Sequence, residues 1–214
     1  MRSRRPKLLC LPNPDSPTGA VAQPDVLRQI LTECEAVGTV LLLDEAYHPF
    51  YDWSAVSWTA ASHNLIVARS FAKAWGAAGL RIGYAVAHPE TIALLHKMRP
   101  MYEVSTFAVD VMSGMIDKTE EMIRAVGRIN EGKIFFGQAI RECGFEVLPG
   151  EGNFIHVAFG DRAQAVHAAL AGKVLYRVYS DHPSLAGFSR FSIAPRQLMA
   201  RVVDLIVRAI SDVR

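Results

Sequence analysis

The 214-residue sequence has few cysteines, no excess of charge of one sign and no long apolar run. Its three cysteines, Cys10, Cys34 and Cys143, are too far apart for a disulfide framework or a paired metal site, which favours a reducing, cytoplasmic compartment. The net charge of +2, with both signs spread along the chain, provides no basic face for nucleic acid. We expect no membrane partner, because no apolar stretch approaches the length of a span, and no metal, because the seven histidines lack HxH or HExxH spacing.

Half of all residues in the chain are hydrophobic. In its first half, apolar runs of strand length alternate with helical patterns. Such alternation is typical of an α/β fold with a largely parallel sheet and flanking helices. The predicted strands are 7–11, 39–47, 64–70 and 81–89, and the predicted helices are 24–36 and about 89–98.

The second half of the chain predicts a smaller α+β domain. A single long helical pattern covers 106–143, with Gly114, Gly127 and Gly137 as weak points. The remaining predictions are a hairpin (145–150 and 153–159), a helix (162–171), two short strands (174–179 and 190–193) and a final helix (195–213). We therefore divide the chain into an incomplete cofactor-binding large domain, 1–103, and a connecting helix with a small C-terminal domain, 104–214.

One lysine, Lys73, stands among small and apolar residues in RSFAKAWG, directly after a predicted strand. An amine surrounded by alanine, phenylalanine and tryptophan side chains is expected to lose its proton more readily, and a neutral amine condenses with aldehydes. Asp44 ends another predicted strand, at the sheet edge where ligands bind in α/β folds, and a carboxylate there can pair with a buried cation. The phenol of Tyr47, three residues on, could bond an oxygen of the same ligand.

Ser70 and Arg81 lie on either side of this lysine and together suit a phosphate group. Taken singly, each of the five residues also has an ordinary structural role, such as a helix cap, a surface ion pair or a half-buried aromatic side chain. Taken together, an amine for an aldehyde, a carboxylate for a ring cation, a phenol for a ring oxygen and a phosphate contact describe one molecule, pyridoxal 5′-phosphate.

Several segments resemble those of the class I/II aminotransferases, which are fold-type I pyridoxal-phosphate enzymes, and within that family those of the histidinol-phosphate type. They are NPDSPTG (13–19), LLLDEAYHPF (41–50), RSFAKAWGAAGLRIGY (69–84), GNFIHV (152–157) and SRFSIAP (189–195). The resemblance implies a partial fold-type I large domain, a small domain, and transfer of an amino group to a 2-oxo acid. It also implies a homodimer or a partner chain.

By the same resemblance, Lys73 bonds the cofactor and later moves the proton, Asp44 keeps the pyridine nitrogen protonated, and Tyr47 bonds the ring oxygen. Ser70 and Arg81 are then expected to hold the cofactor phosphate.

The substrate contacts that the resemblance implies lie in the second half. Arg190 is expected to clamp the substrate carboxylate or the phosphate that replaces it. Arg177 is a candidate second anion contact, and an exposed strand residue is an equally good interpretation of it.

Two departures from the family pattern stand out. Ser16 occupies the position of the asparagine that normally contacts the cofactor ring oxygen, so we expect a weaker contact there, while Asn13 is interpreted as a turn residue. The chain also matches the family only from its second third onward. We expect a truncated remnant, one half of a split enzyme, or a polypeptide that needs a partner chain.

Two other functions stay open from the sequence. A decarboxylase acting on a phosphorylated amino acid would share the lysine segment. A non-catalytic partner or remnant would no longer hold the cofactor, although the intact candidate residues argue against long decay.

Overall fold

The computed structural model describes residues 3–211, which form two compact units. Unit 1 comprises residues 3–16 and 20–123, and unit 2 comprises residues 17–19 and 124–211. The strands are β1 (Leu8–Pro12), β2 (Val40–Asp44), β3 (Leu65–Ser70), β4 (Gly83–Ala87), β5 (Glu146–Leu148), β6 (Phe154–Ala158), β7 (Arg177–Val178) and β8 (Phe188–Ser192). The helices are α1 (Pro24–Val37), α2 (Pro89–Lys97), α3 (Thr106–Ile116), α4 (Thr119–Glu142), α5 (Ala163–Leu170) and α6 (Arg196–Ser211). The division at 103/104 into a cofactor-binding and a small domain concerns function, and it stays a prediction.

The sheet of unit 1 has the order β1-β2-β3-β4 and confirms the predicted α/β class. Strands β1, β2 and β3 are parallel, whereas β4 returns antiparallel to β3. In the central strand β2, the buried residues Leu41 and Leu43 alternate with residues that are more exposed. Their burial against β3 and α1 fixes the register of the strand and therefore the position of its carboxyl end.

Helix α1 shows why the sequence predicts its bounds well. Pro24 begins it, in the first-turn position that a residue without a backbone N–H favours, and Gly38 ends it in the left-handed conformation with φ of 70°. Leu27, Leu31 and Cys34 are spaced at one helical face and are all buried against the sheet.

The long helical pattern at 106–143 is two helices, so the expectation of one continuous helix is wrong. The break lies at Asp117–Lys118 and not at any of the three glycines. The Lys118 amide bonds the Met115 carbonyl, and the Thr119 hydroxyl bonds the Ile116 carbonyl, so local hydrogen bonds satisfy the end of α3 without continuing it.

Unit 2 contains an antiparallel sheet with the order β5-β6-β8-β7. The predicted hairpin is confirmed as β5 and β6, and the strand predicted at 174–179 is only the two residues of β7. One face of the sheet packs on the helices, through Phe136 of α4, Val157 of β6, Phe191 of β8 and Ile206 of α6, all of them buried. The residues that alternate with Val157 and Phe191 therefore lie on the opposite face.

Among residues 3–211, no helix is both long enough and apolar enough to cross a membrane.

Candidate active site

The carboxyl ends of two neighbouring parallel strands bring candidate residues to one edge of the unit 1 sheet. Asp44 is the last residue of β2 and pairs in register with Ala68 of β3, two residues before Ser70 ends that strand. Because parallel strands end on the same side, Asp44 and Ser70 share the edge where α/β sheets bind ligands.

Asp44 is exposed, and the turn that follows it fixes its carboxylate: Oδ1 accepts a hydrogen bond of 2.9 Å from the Ala46 amide. The same turn places the Tyr47 side chain, which is buried. Tyr47 meets Lys73 there, with the lysine Nζ 5.1 Å from the centre of the phenol ring. This distance is within the range of a cation–π contact, so the structure brings together an amine and a phenol that are 26 positions apart.

Lys73 itself lies on the turn after β3 and is exposed, which corrects the expectation that apolar neighbours surround it. The aromatic residues beside it in the sequence pack elsewhere: Phe71 and Trp75 contact each other at 5.8 Å between ring centres and join a cluster with Ala77 and Met112. Because those side chains turn into their own cluster, the amine is left on the outer side of the turn.

Ser70 and Arg81 are close along the backbone because β3 and β4 form an antiparallel pair. Ser70 pairs with Gly83, and a Cβ at Gly83 would stand 2.5 Å from the Arg69 carbonyl oxygen, so only glycine allows this approach. The Ser70 hydroxyl accepts a 3.0 Å hydrogen bond from the Ala72 amide. Arg81, with φ of 53°, donates to the Ala78 carbonyl at 3.1 Å and is exposed.

A buried ion pair that sequence reasoning missed ties these two strand ends together. Glu45, only 1 % exposed, accepts hydrogen bonds from Arg69 Nε at 3.1 Å and Nη2 at 3.0 Å. Ser54 and the Ala55 amide each donate to the same carboxylate at 2.7 Å. Glu45 directly follows Asp44, and Arg69 directly precedes Ser70. This adjacency to candidate residues was the only sign of the ion pair in the sequence.

The turn after β1 holds Asn13 and Ser16, the second of which differs from the family pattern. Asn13 is buried, with its Oδ1 accepting a 2.7 Å bond from the Ala22 amide, in keeping with its interpretation as a turn residue. Its backbone amide also bonds the Asp44 carbonyl at 2.8 Å, which joins the turn to β2. Ser16 is exposed.

In unit 2, the two candidate arginines lie directly opposite each other. Arg190 of β8 pairs in register with Arg177 of β7 on one side and with His156 of β6 on the other. Directly paired residues share a sheet face, so the three side chains form a row on the face that does not carry the core. The guanidinium of Arg190 also lies 5.1 Å from the centre of the Phe154 ring, whereas Arg177 is exposed.

His156 lies outside the predicted site residues, because a lone histidine in a strand gives no signal of its partners. It is 2 % exposed, and its Nε2 has no hydrogen-bond partner among the described residues. Burial is the main reason that its pKa falls to about 4, and the nearby charges of Arg190 and His182 lower it further; the Pro17 carbonyl acts in the opposite direction. The imidazole is therefore neutral at neutral pH.

A second histidine cluster lies at the surface of unit 1. His63, His88 and Glu90 place one potential metal-ligating atom each within 4.8 Å of one another, although His63 and Glu90 are exposed. No metal-type spacing marks this group in the sequence, because His63 lies 25 residues before His88.

A family profile described as "Aminotransferase class I and II" matches residues 1–206 of the chain. The chain belongs to this family. The matched range includes the β2 and β3 strand ends with Asp44, Tyr47 and Lys73 as well as the arginine row of unit 2, so both groups of candidate residues lie inside the aminotransferase match.

Individual proteins agree with this membership. The chain is 34% identical over 195 residues to the histidinol-phosphate aminotransferase of Geobacter sulfurreducens, which covers 90% of this chain and 55% of that protein. It is also similar to the crystal structure of histidinol-phosphate aminotransferase from Sinorhizobium meliloti in complex with pyridoxal-5′-phosphate, with 26% identity and a TM-score of 0.80, over 100% of this chain and 60% of that one.

A third neighbour, L-threonine-O-3-phosphate decarboxylase from Porphyromonas gingivalis, shares the fold. It has a TM-score of 0.77 at 21% identity, over 96% of this chain and 65% of that one.

The chain spans about half the length of the curated relatives it matches. Pyridoxal phosphate, expected from the sequence, is confirmed as the cofactor at the level of the aminotransferase family.

Proposed function

We propose that this chain carries the lysine-bearing part of a pyridoxal-phosphate-dependent aminotransferase of the histidinol-phosphate type. The observation that supports the proposal best is the meeting of Lys73 and Tyr47, at 5.1 Å, beside the β2 end that carries Asp44. An amine, a phenol and a carboxylate at one strand edge are the donor set that the aldehyde, ring oxygen and ring nitrogen of the cofactor require.

In this proposal, each candidate residue contacts a different part of the cofactor. Asp44 pairs with the pyridine nitrogen and keeps it protonated, and Tyr47 donates its hydroxyl proton to the ring oxygen. Ser70 and Arg81 bind the phosphate through a hydroxyl and a guanidinium. Ser16, whose side chain is shorter than the family's asparagine, adds a weaker contact to the ring oxygen.

Lys73 has two tasks in the proposed reaction. Its amine would hold the cofactor through the aldehyde, and as a free amine it would accept the proton that leaves the substrate Cα. When bound, the protonated pyridine ring supplies the electron sink that this proton transfer needs. The exposure of Lys73 leaves the amine accessible to both partners.

The arginine row supports an anionic substrate with more than one negative charge. Cα partners in an antiparallel sheet bring Cβ atoms to about 4.5–5.5 Å, and like charges at that spacing destabilise a sheet. Among the described residues, neither Arg177 nor Arg190 lies within ion-pair distance of an acidic side chain. A phosphate monoester carries about two negative charges and so offsets the positive charges of both guanidinium groups. We therefore propose an amino-alcohol phosphate as amino donor and a 2-oxo acid as acceptor.

We also propose that the chain works as a homodimer or with a partner chain. Large apolar side chains of unit 1 stand exposed in and near α2 and α3, among them Met98, Met101, Tyr102 and Phe107. These four side chains lie within the ten-residue segment 98–107, and exposed apolar patches are typical of interaction surfaces. Three free cysteines, Cys10, Cys34 and Cys143, fit the proposed cytoplasmic location.

The test is an amino-transfer assay with glutamate or histidinol phosphate as donor, using the full chain with added pyridoxal phosphate and Lys73→Ala as control. We expect 2-oxo acid-dependent turnover that the variant lacks, with no release of carbon dioxide. Carbon dioxide release from a phosphorylated amino acid would instead favour a decarboxylase. Cofactor binding with no turnover would restrict the proposal to a chain that needs a partner.

A further inference from the structure

Two buried polar atoms next to the arginine row have no hydrogen-bond partner among residues 3–211. They are His156 Nε2 and the hydroxyl oxygen of Tyr179, whose rings lie 6.0 Å apart between centres. His156 is 2 % and Tyr179 9 % exposed. Native proteins satisfy nearly all buried polar groups, since an unpaired one costs about 1–3 kcal/mol. Two such atoms in one place, beside Arg190, indicate a polar ligand group that binds there.

The groups that face His156 define what this ligand must carry. Arg190 of β8 and His182, in the loop between β7 and β8, contribute positive charge, and the Phe154 and Tyr179 rings cover the imidazole. Among residues 3–211, the Pro17 carbonyl is the one group that raises the pKa of the ring and so favours its protonated form. An anion that binds to Arg190 adds negative charge next to the imidazole and so strengthens its hold on a proton.

We propose that His156 holds the proton that accompanies a phosphate monoester into the subsite of Arg177 and Arg190, with that proton shared between Nε2 and a phosphate oxygen. This inference rests on the proposed function in one respect, the assignment of the substrate anion to the two arginines. Tyr179 donates its hydroxyl proton to a second oxygen of the same group. His156 is thus a specificity-determining residue for phosphate monoesters.

The proton balance is simple. A phosphate monoester loses its second proton near pH 6. Either the monoanion brings the proton to a neutral imidazole, or the dianion binds an imidazole that has taken the proton from solvent; the two complexes have the same composition, and no covalent bond other than O–H or N–H changes. A sulfate ester brings no proton at these pH values, so it can bind only to an imidazole that has taken its proton from solvent.

The sign of the proton change on binding tests the inference. We choose phosphoethanolamine as probe and isothermal titration calorimetry of the full chain, without added cofactor, at pH 6.5 in two buffers of different ionisation enthalpy. About a quarter of the free probe carries its second proton at that pH. We expect the wild-type chain to take up about 0.3–0.7 proton per bound probe.

Removal of the imidazole should reverse that sign. In His156→Asn, and independently in His156→Phe, the arginines alone favour the dianion, so binding should release up to about 0.2 proton. His167→Asn is the matched control, because His167 is a half-buried histidine of unit 2 that contacts Ser189 at 3.2 Å and lies outside the arginine row. It should keep the wild-type uptake.

Each outcome decides the matter. Uptake by the wild-type chain and release by both His156 variants would support the proton role. Equal release by wild type and variants would overturn the proton role of His156. Failure of the wild-type chain to bind the probe would overturn both the subsite and this inference, whereas cofactor attachment to Lys73 is measured separately and is unaffected.

Discussion

Glu45 and Arg69 show how single residues outside the expected set position those within it. The Glu45 carboxylate accepts two hydrogen bonds from Arg69, and both residues directly adjoin candidate site residues, Asp44 and Ser70. The ion pair is partly shielded from water, because the two side chains are 1% and 17% exposed. Buried pairs are costly to break by removing one partner, since the other charge stays uncompensated.

Replacement of Glu45 by alanine should lower the free energy of unfolding by about 3 kcal/mol. The Arg69 guanidinium, the Ser54 hydroxyl and the Ala55 amide would all lose their acceptor. Urea unfolding monitored by circular dichroism measures the change. Glu121→Ala, at an exposed position of the same unit, should change stability by less than about 0.5 kcal/mol, and equal losses in the two variants would contradict the role of the ion pair.

The lowered pKa of His156 predicts a loss of stability in acid. The pKa in the folded chain is about 4, below the ordinary value of 6.5, so between these values the unfolded chain binds more protons. The stabilisation is therefore complete above pH 6.5 and is lost as the pH falls toward 4, by about 3 kcal/mol. His156→Phe should flatten this part of the profile, measured by urea unfolding at pH 7 and pH 4.5; an unchanged slope would contradict the assignment.

In helix α4, close packing decides which residue a position accepts. Gly132 lies where the helix meets the backbone after β8, and a Cβ there would come within 3.0 Å of the Ala194 carbonyl oxygen and near the Arg196 amide. Gly127, five residues earlier in the same helix, has open space around it. The two glycines therefore serve different purposes, although they look alike in the sequence.

Gly132→Ala should destabilise unit 2, because α4 or the backbone at Ala194 must move, and we expect a loss of about 2 kcal/mol. Gly127→Ala should do the opposite and gain about 0.5–1 kcal/mol from helix propensity. Thermal unfolding of both variants beside the wild type gives the comparison. Similar melting temperatures for the two variants would show that the close approach at Gly132 is not tight.

The elements that sequence patterns predicted well are those with a buried apolar face. The apolar runs around Leu41 and Leu65 predict β2 and β3 correctly, because these side chains are stable only when buried in the core. The break after α3 was missed because local hydrogen bonds near Lys118, and not a glycine, end the helix. The exposure of Lys73 was missed for a similar reason: its aromatic neighbours pack with each other, which depends on tertiary contacts that local sequence does not encode.

At the scale of the whole molecule, the chain contains two compact units, each with its own sheet and core, and spans about half the length of its curated relatives. The lysine, carboxylate and phenol lie in unit 1, whereas the arginine row lies in unit 2. The order of these residues along the chain could be matched to the family from the sequence. The pairing of Arg177 and Arg190 with His156 could not, because it depends on the register of three strands.

The exposed aromatic side chains of unit 1 predict that chains associate. Tyr102 and Phe107 are 91% and 69% exposed, and we expect sedimentation velocity to show species heavier than the 23.6 kDa monomer. A Tyr102→Ser, Phe107→Ser double variant should shift the distribution toward monomer. Leu175→Ser, at an exposed leucine of unit 2, should not. A wild-type chain that stays monomeric at all concentrations would contradict the homodimer and leave association with a different chain as the remaining proposal.

Attachment of pyridoxal phosphate to Lys73 can be measured by borohydride reduction after incubation with the cofactor. We expect tryptic mass spectrometry to locate a reduced pyridoxyl group on the peptide that contains Lys73, in the wild-type chain and not in Lys73→Arg. Absence of that adduct, or modification spread evenly over the other lysines, would contradict the assignment of Lys73 as the cofactor-binding residue.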